Sequence, residues 1–361
     1  MRNTHFDRIY LKFGNGCNFD CKYCSQGASD RHFQNKPTQG CTLSQEVIEY
    51  LDYYVEHIND SNKPTYIVLW GGEPLLYFDS IKFVVERYGK AFNYGTATNG
   101  AYLSQEIVDF FNKHNIRLAL SHDGDITEET RGVNVLKNKR IRELYSQVNK
   151  AAFFSVVTAK NYSIAKIYDF FASNGTPDIE VSVFYCLDTN GKPDTLMYTD
   201  FDLNKFDESW KELIRRHEEY LKGDIKYYRE YKFIEANINV IKERIENPVK
   251  KQKFFCETCG VASQGTKINI MWDGRLTACH NSNVVIGRIT DDYKVVRENR
   301  RAYDDSHDTY VDCASCEFDV ICKGVCAHTT ERGAKLWCNM QKIALCNILL
   351  YIQQKAKEAN G

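Results

Sequence analysis

The sequence has no excess of either charge: 47 Lys and Arg stand against 48 Asp and Glu, a formal net charge of −1. That balance supplies no basic field for nucleic acid or an anionic membrane surface. Long hydrophobic runs are missing as well. The longest, such as Ile343 to Ile352, are too short and too interrupted to span a bilayer. Met1 to Arg8 is polar, without the apolar stretch of a secretion signal. No internal repeat or low-complexity segment stands out. These absences predict a cytoplasmic protein with neither a nucleic-acid nor a membrane partner. What is present is a chain of 361 residues, 43% hydrophobic. It is long enough for two or three domains and apolar enough to bury a large core.

Fourteen cysteines are the anomaly. In a reduced compartment a clustered set holds metal or performs chemistry, where a secreted mini-protein would use it for disulfides. Three lie between positions 17 and 24 and nine between 256 and 346, leaving only Cys41 and Cys186 alone.

The first half alternates short apolar runs with helical patterns. The expected strands are Arg8–Phe13, Tyr66–Trp70, Tyr94–Thr98, Arg117–Ser121, Ala152–Val157 and Ile179–Tyr185. Helical stretches fall between them near 43–58, 78–89, 104–114, 138–149 and 162–173, with Ser44 and Ser104 as capping residues. Alternation of this kind implies parallel strands with right-handed crossovers. Six units predict an α/β fold, an incomplete TIM-like (β/α)6 barrel over residues 1–202, with working residues at the C-terminal strand ends. Residues 203–253 read as a helical linker, with no Gly or Pro over 203–247 except Gly223. From 254 to 361 the composition turns to Cys and Gly among short strands, closed by a helix near 338–356.

After the first strand comes Gly14-Asn15-Gly16-Cys17-Asn18-Phe19-Asp20-Cys21-Lys22-Tyr23-Cys24. Three thiolates in C-x3-C-x2-C can each hold one iron of a four-iron cluster, leaving the fourth iron open. Zinc is the competing reading, with Cys41 folding back as a fourth ligand, since structural zinc takes four. The motif, with Tyr23 ahead of its last cysteine, resembles the signature of the radical S-adenosylmethionine (SAM) superfamily. That resemblance implies that the open iron chelates SAM and that an electron from the cluster cleaves it to a 5′-deoxyadenosyl radical. Further segments follow in the family's order. Gly71-Gly72-Glu73-Pro74, after the second strand, is similar to the segment that receives the SAM amino group; its glycines permit close approach and Glu73 offers a carboxylate. Thr98-Asn99-Gly100 and Ser121-His122-Asp123-Gly124, the latter followed by Arg131, resemble segments that contact the SAM ribose and carboxylate. Cys186-Leu187-Asp188 closes strand six, where the family contacts the adenine through backbone at Leu187.

The C-terminal spacing Cys259-x14-Gly274-x4-Cys279, then Cys313-x2-Cys316-x5-Cys322-x3-Cys326 and Cys338, resembles the SPASM domain of peptide- and protein-modifying radical SAM enzymes. The resemblance implies two auxiliary [4Fe–4S] clusters, three in all. Cys256, Cys259, Cys279 and Cys326 would hold the first, and Cys313, Cys316, Cys322 and Cys338 the second, with Cys346 an alternative to Cys338. It also implies oxidation or crosslinking of a side chain in a ribosomally made peptide. Such an enzyme needs a peptide or protein substrate and an electron donor such as flavodoxin or ferredoxin. The short stretch ahead of the first strand predicts that the leader is bound by a separate protein, or that the barrel mouth and the C-terminal domain grip the substrate. Formation of formylglycine in sulfatases is the alternative activity, small-molecule oxidation a third. Against sulfatase maturation, His280 stands after Cys279 where that subgroup carries an Asp base. His280 is accordingly a candidate proton acceptor or a structural neighbour of the cluster. Cys186 is a candidate hydrogen-atom donor or a wall residue. The contrasting class is a non-enzymatic metal-binding protein, for which the ordered SAM segments have no use.

Overall fold

The computed structural model describes residues 4–24, 32–60, 62–174, 180–185, 201–248, 266–280, 284–305, 310–313, 315–322, 324–326 and 329–360. Its strands are β1 (Arg8–Lys12), β2 (Gly16–Cys17), β3 (His32–Phe33), β4 (Tyr66–Trp70), β5 (Asn93–Thr98), β6 (Arg117–Ser121), β7 (Ala151–Val157), β8 (Glu180–Tyr185), β9 (Lys267–Met271), β10 (Arg275–Thr277) and β11 (Val285–Arg288). Its helices are α1 (Gln45–His57), α2 (Phe78–Tyr88), α3 (Gln105–Lys113), α4 (Thr127–Arg131), α5 (Lys139–Tyr145), α6 (Ile164–Ser173), α7 (Leu203–Leu221), α8 (Tyr228–Glu246), α9 (Tyr293–Asp305) and α10 (Glu331–Asn360). By compactness the chain divides in two. One unit takes Met1–His122, Thr127–Phe154 and Cys259–Ser306, the other Asp123–Ile126, Ser155–Thr258 and His307–Gly361.

In the first unit β1, β4, β5, β6 and the start of β7 pair in parallel and in sequence order. Side chains alternate across the sheet: Ile9, Leu11, Ile67 and Leu69 are fully buried, and the residues between them are more exposed. The crossover helices start where short polar side chains satisfy orphan N–H groups. Ser44 accepts from Val47 N–H and Ser104 from Ile107 N–H. On the other side of β1 lies β9, also parallel, in the register Arg8↔Lys267 to Lys12↔Met271. β10 and β11 then extend the sheet antiparallel. The chain after residue 254 therefore contributes a strand to the first sheet. β10 leads directly to Cys279 and His280.

The second unit holds the end of β7, β8 beside it, and the helices α6, α7, α8 and α10. Asp202 caps α7 by accepting from Asn204 and Lys205 N–H. The charged segment 203–247 buries Phe206, Trp210, Leu213, Ile234 and Ile238, a 3.6-residue stripe. Between these helices His217 is buried, its ring bonded to Tyr351 Oη at 2.9 Å and Glu235 Oε1 at 3.0 Å. The last helix begins at Glu331 rather than near 338. Thr330 Oγ1 accepts from Gly333 N–H at 3.1 Å, the N-cap arrangement that starts it. Cys338 consequently lies within α10, where a helix near 338–356 had put it at the start.

Candidate active site

The loop after β1 is tied to the end of β4 by backbone. Phe13 N–H donates to Trp70 O at 2.9 Å, Gly72 N–H to Gly14 O at 3.1 Å, and Glu73 N–H to Gly16 O at 2.9 Å. Gly72 has no room for a side chain, since a Cβ would meet Gly16 O at 2.4 Å. Two glycine segments distant in sequence thus press together, and Cys17 follows at once, buried. Cys21 and Cys24 are half-buried on the same loop. Lys22 N–H donates to Thr130 O at 2.9 Å, fastening this loop to α4, which carries Arg131.

Glu73 is 2% exposed and gathers three donors: Thr98 Oγ1 at 2.6 Å, Asn99 N–H at 2.8 Å and Leu75 N–H at 3.0 Å. Burial pushes its carboxyl above the usual range; these bonds and the Arg131 charge pull the other way. Asn99 also reaches the cysteine loop, its Nδ2 donating to Asn18 Oδ1 at 2.8 Å. Arg131 is buried, with its guanidinium 5.3 Å from the centre of the Tyr23 ring. The arm carrying it is held by His122, fully buried between Thr127 Oγ1 at 3.0 Å and Asn134 Oδ1 at 3.0 Å. Ser121 ends β6, half-buried. The structure thus brings Cys17, Cys21, Cys24, Tyr23, Gly71, Gly72, Glu73, Asn99 and Arg131 into one bonded neighbourhood. Cys186 and Leu187 lie outside the described residues.

His280 packs on the first unit's sheet. Its ring stacks on Tyr10 with centroids 4.5 Å apart, meets Trp70 edge-on, and its carbonyl accepts from Trp70 Nε1 at 3.2 Å. Burial, then the Lys267, Lys12 and Arg8 charges, lower its pKa to about 4, so its neutral form dominates at pH 7. Its Nδ1 is 3.9 Å from Cys279 Sγ. Of the remaining first auxiliary set, Cys326 belongs to the second unit, and Cys256 and Cys259 lie outside the described residues.

In the second unit Cys313, Cys316, Cys322 and Cys338 line one cavity with Phe318, Gly324, Trp337 and Lys342. Cys346 is exposed and not among the lining residues. Gly324, at φ 73°, directs its N–H to Cys322 Sγ at 3.3 Å, and Trp337 Nε1 donates to Gly324 O at 2.8 Å. Arg244 of α8 donates to Cys322 O at 2.8 Å. Burial pushes the Cys338 thiol up, and the neighbouring Cys322, Cys316 and Cys313 add to this against Lys342.

Among the described residues no group of three or more His, Cys, Asp or Glu is placed to hold a single metal ion. A zinc ion would need sulfurs about 2.3 Å from one point, whereas in a four-iron cluster each thiolate binds a different iron. Four cysteines around one cavity supply one thiolate for each iron of such a cluster. The N-terminal site fits a cluster-bound amino acid: three thiols on one loop, with a buried carboxylate and a buried guanidinium to meet an ammonium and a carboxylate.

Residues 11–151 match the family model described as the Radical SAM superfamily. This chain carries a radical SAM domain. It is related to enzymes that mature proteins and peptides. The radical SAM cyclopropyl synthase TigE of Paramaledivibacter caminithermalis is 25% identical over 347 residues, 90% of this chain and 68% of that one. A serine-type anaerobic sulfatase-maturating enzyme of Bacteroides thetaiotaomicron is 29% identical over 116 residues, 30% of this chain and 27% of that one. Among solved structures, anSMEcpe with bound AdoMet and Cp18Cys peptide aligns with TM-score 0.66 at 18% identity, covering 96% of this chain and 99% of that one. Streptococcus suis SuiB bound to precursor peptide SuiA aligns with TM-score 0.55 at 19% identity, covering 89% and 72%. The radical SAM fold of the chain is thereby the α/β fold its strand order predicts. Among the described residues no helix is long and apolar enough to cross a membrane. Sequence reasoning missed Asn18, His122 as an anchor of the Arg131 arm, Arg244 and Trp337. Of these Asn18 and His122 carried a signal, their places inside the cysteine motif and the Ser121–Gly124 segment.

Proposed function

We propose that this radical SAM enzyme modifies a side chain of a ribosomally made peptide by oxidation or crosslinking, using two auxiliary [4Fe–4S] clusters besides the one that binds SAM. SAM on its cluster supplies a 5′-deoxyadenosyl radical that removes a hydrogen atom from the substrate. Cys17, Cys21 and Cys24 ligate that cluster. Glu73 receives the SAM ammonium, Arg131 its carboxylate, and Gly71 and Gly72 let the backbone approach. Tyr23 supports the Arg131 guanidinium, Asn99 and Ser121 face the ribose, and Leu187 contacts the adenine. Cys313, Cys316, Cys322 and Cys338 would hold the second auxiliary cluster, and Cys256, Cys259, Cys279 and Cys326 the first. Net oxidation removes two hydrogens from the peptide. One would leave as an atom, giving 5′-deoxyadenosine, and the second as a proton, an auxiliary cluster being the acceptor that would take its electron. We assign that proton to His280 and read Cys186 as a wall residue.

The observation that carries this reading is the four-cysteine cavity on α10 and the loop before it, an electron site beyond the one SAM cleavage needs. The relatives named for a precursor peptide and for a cyclopropyl product support a peptide substrate. The test is tandem mass spectrometry of a short peptide encoded beside this gene, after anaerobic turnover in deuterated buffer. Loss of two mass units with a crosslink or unsaturation is expected. An aldehyde at a Ser or Cys, trapped by a hydrazide, would replace this reading with sulfatase maturation. Solvent deuterium at an α-carbon would replace it with epimerisation.

A further inference from the structure

Tyr77 has no place in the SAM motifs, yet the cysteine loop is built around it. It ends the short turn Pro74–Tyr77, directly after Glu73, and is 4% exposed. Its phenol oxygen accepts the Gly16 N–H at 2.8 Å. The ring takes the space that Gly14 and Gly16 leave empty: a Cβ on Gly14 would lie 2.4 Å from the phenol oxygen, and one on Gly16 2.8 Å. Gly14 is therefore shaped to this side chain, and Gly16 to it and to Gln34, whose Oε1 a Cβ there would meet first.

The O–H of Tyr77 has one hydrogen to give, and no acceptor among the described residues takes it. A buried hydroxyl without an acceptor is costly and calls for an explanation. Cys17 is the residue after Gly16. The phenol oxygen, bonded to Gly16 N–H, therefore lies one residue from the Cys17 ligand. A cluster ligated by Cys17 would supply electron-rich sulfur as the acceptor this hydroxyl lacks. Hydrogen bonds to such sulfurs stabilise the reduced cluster and raise its potential.

We propose that Tyr77 is a positioning residue of the SAM site, bracing the cysteine loop through Gly16 and donating its O–H to a sulfur at the Cys17 corner of the cluster. The proposal rests on the radical SAM reading and adds to it a residue that sets how readily the cluster takes its electron.

The test is Tyr77→Phe in the full-length reconstituted protein, which keeps the ring and removes the donor. The potential of the cluster whose electron paramagnetic resonance signal responds to SAM is followed by redox titration. The ratio of reduced to oxidised cluster at a fixed poise should fall about tenfold, about 59 mV for one electron. KM for SAM should stay within about twofold while kcat for 5′-deoxyadenosine formation falls. An unchanged potential with the SAM-responsive signal intact would overturn the proposal and leave Tyr77 as packing. Should the Phe variant lose iron, fluorotyrosine at position 77 keeps the ring and strengthens the donor. The potential should then move positive, and an unmoved potential overturns the proposal. A wild-type protein without any SAM-responsive cluster signal would overturn the reading beneath it, and the proposal with it.

Discussion

Gly72→Ala perturbs the joint on which the SAM site depends. The new Cβ would lie 2.4 Å from Gly16 O, 2.7 Å from Asn15 O and 2.8 Å from Gly16 C. All three are backbone atoms, so no rotamer change relieves the contact. Relief requires the cysteine loop to move away from the end of β4, loosening the Gly72-to-Gly14 and Glu73-to-Gly16 hydrogen bonds that lie in the same contact. Overpacking costs about 1–3 kcal/mol, and each weakened bond adds up to about 1 kcal/mol. A total of about 2–4 kcal/mol is expected, a fall of about 1–2 M in the urea midpoint at a slope of about 2 kcal/mol/M. Gly71 is the internal control. Its Cβ would come no nearer than 3.3 Å to Gly14 O, so Gly71→Ala should cost less than about 1 kcal/mol. Urea unfolding of the iron-free variants, with iron content after reconstitution, gives both comparisons. Equal midpoints for the two variants, or full iron in Gly72→Ala, would refute the close-packed joint.

Glu73→Gln removes the buried charge while keeping its volume, and SAM affinity by calorimetry should fall about ten- to a hundredfold. Because burial raises the Glu73 pKa, wild-type affinity should weaken as pH falls through that raised value, where the carboxylate gains a proton; the Glu73→Gln variant should flatten this dependence. Cys338→Ala should cost the reconstituted protein about four irons and Cys346→Ala none, measured by iron and sulfide analysis. Arg244→Met removes the bond to Cys322 O and should speed iron loss to a chelator, with about 1–3 kcal/mol of stability lost.

The parallel sheet was legible because its signals are local. Tyr66–Trp70 and Arg117–Ser121 stand where the apolar runs predict them, and Ser44 and Ser104 cap the helices they precede. The pairing of β9 with β1 was not legible. It joins residues more than 250 positions apart, and periodicity carries no partner information. The start of α10 was obscured by Gly333, a poor helix former that sits in the first turn under the Thr330 cap. In the site, motif residues were readable from their types, but their supports were not. Asn18, His122 and Tyr77 act through hydrogen bonds that only the fold assembles. The four-cysteine cavity includes Cys338 and leaves out Cys346, a choice that spacing alone left open.

The central claim is that Cys17, Cys21 and Cys24 hold the cluster at which SAM is cleaved. The most direct measurement is 5′-deoxyadenosine formed from SAM by the anaerobically reconstituted, dithionite-reduced protein. It is made on wild type and on the triple variant Cys17→Ala, Cys21→Ala, Cys24→Ala, with iron counted on both samples. The account predicts turnover with about twelve irons in wild type, and none, with about eight irons, in the triple variant. Deoxyadenosine from the triple variant, or none from a fully loaded wild type, would contradict it.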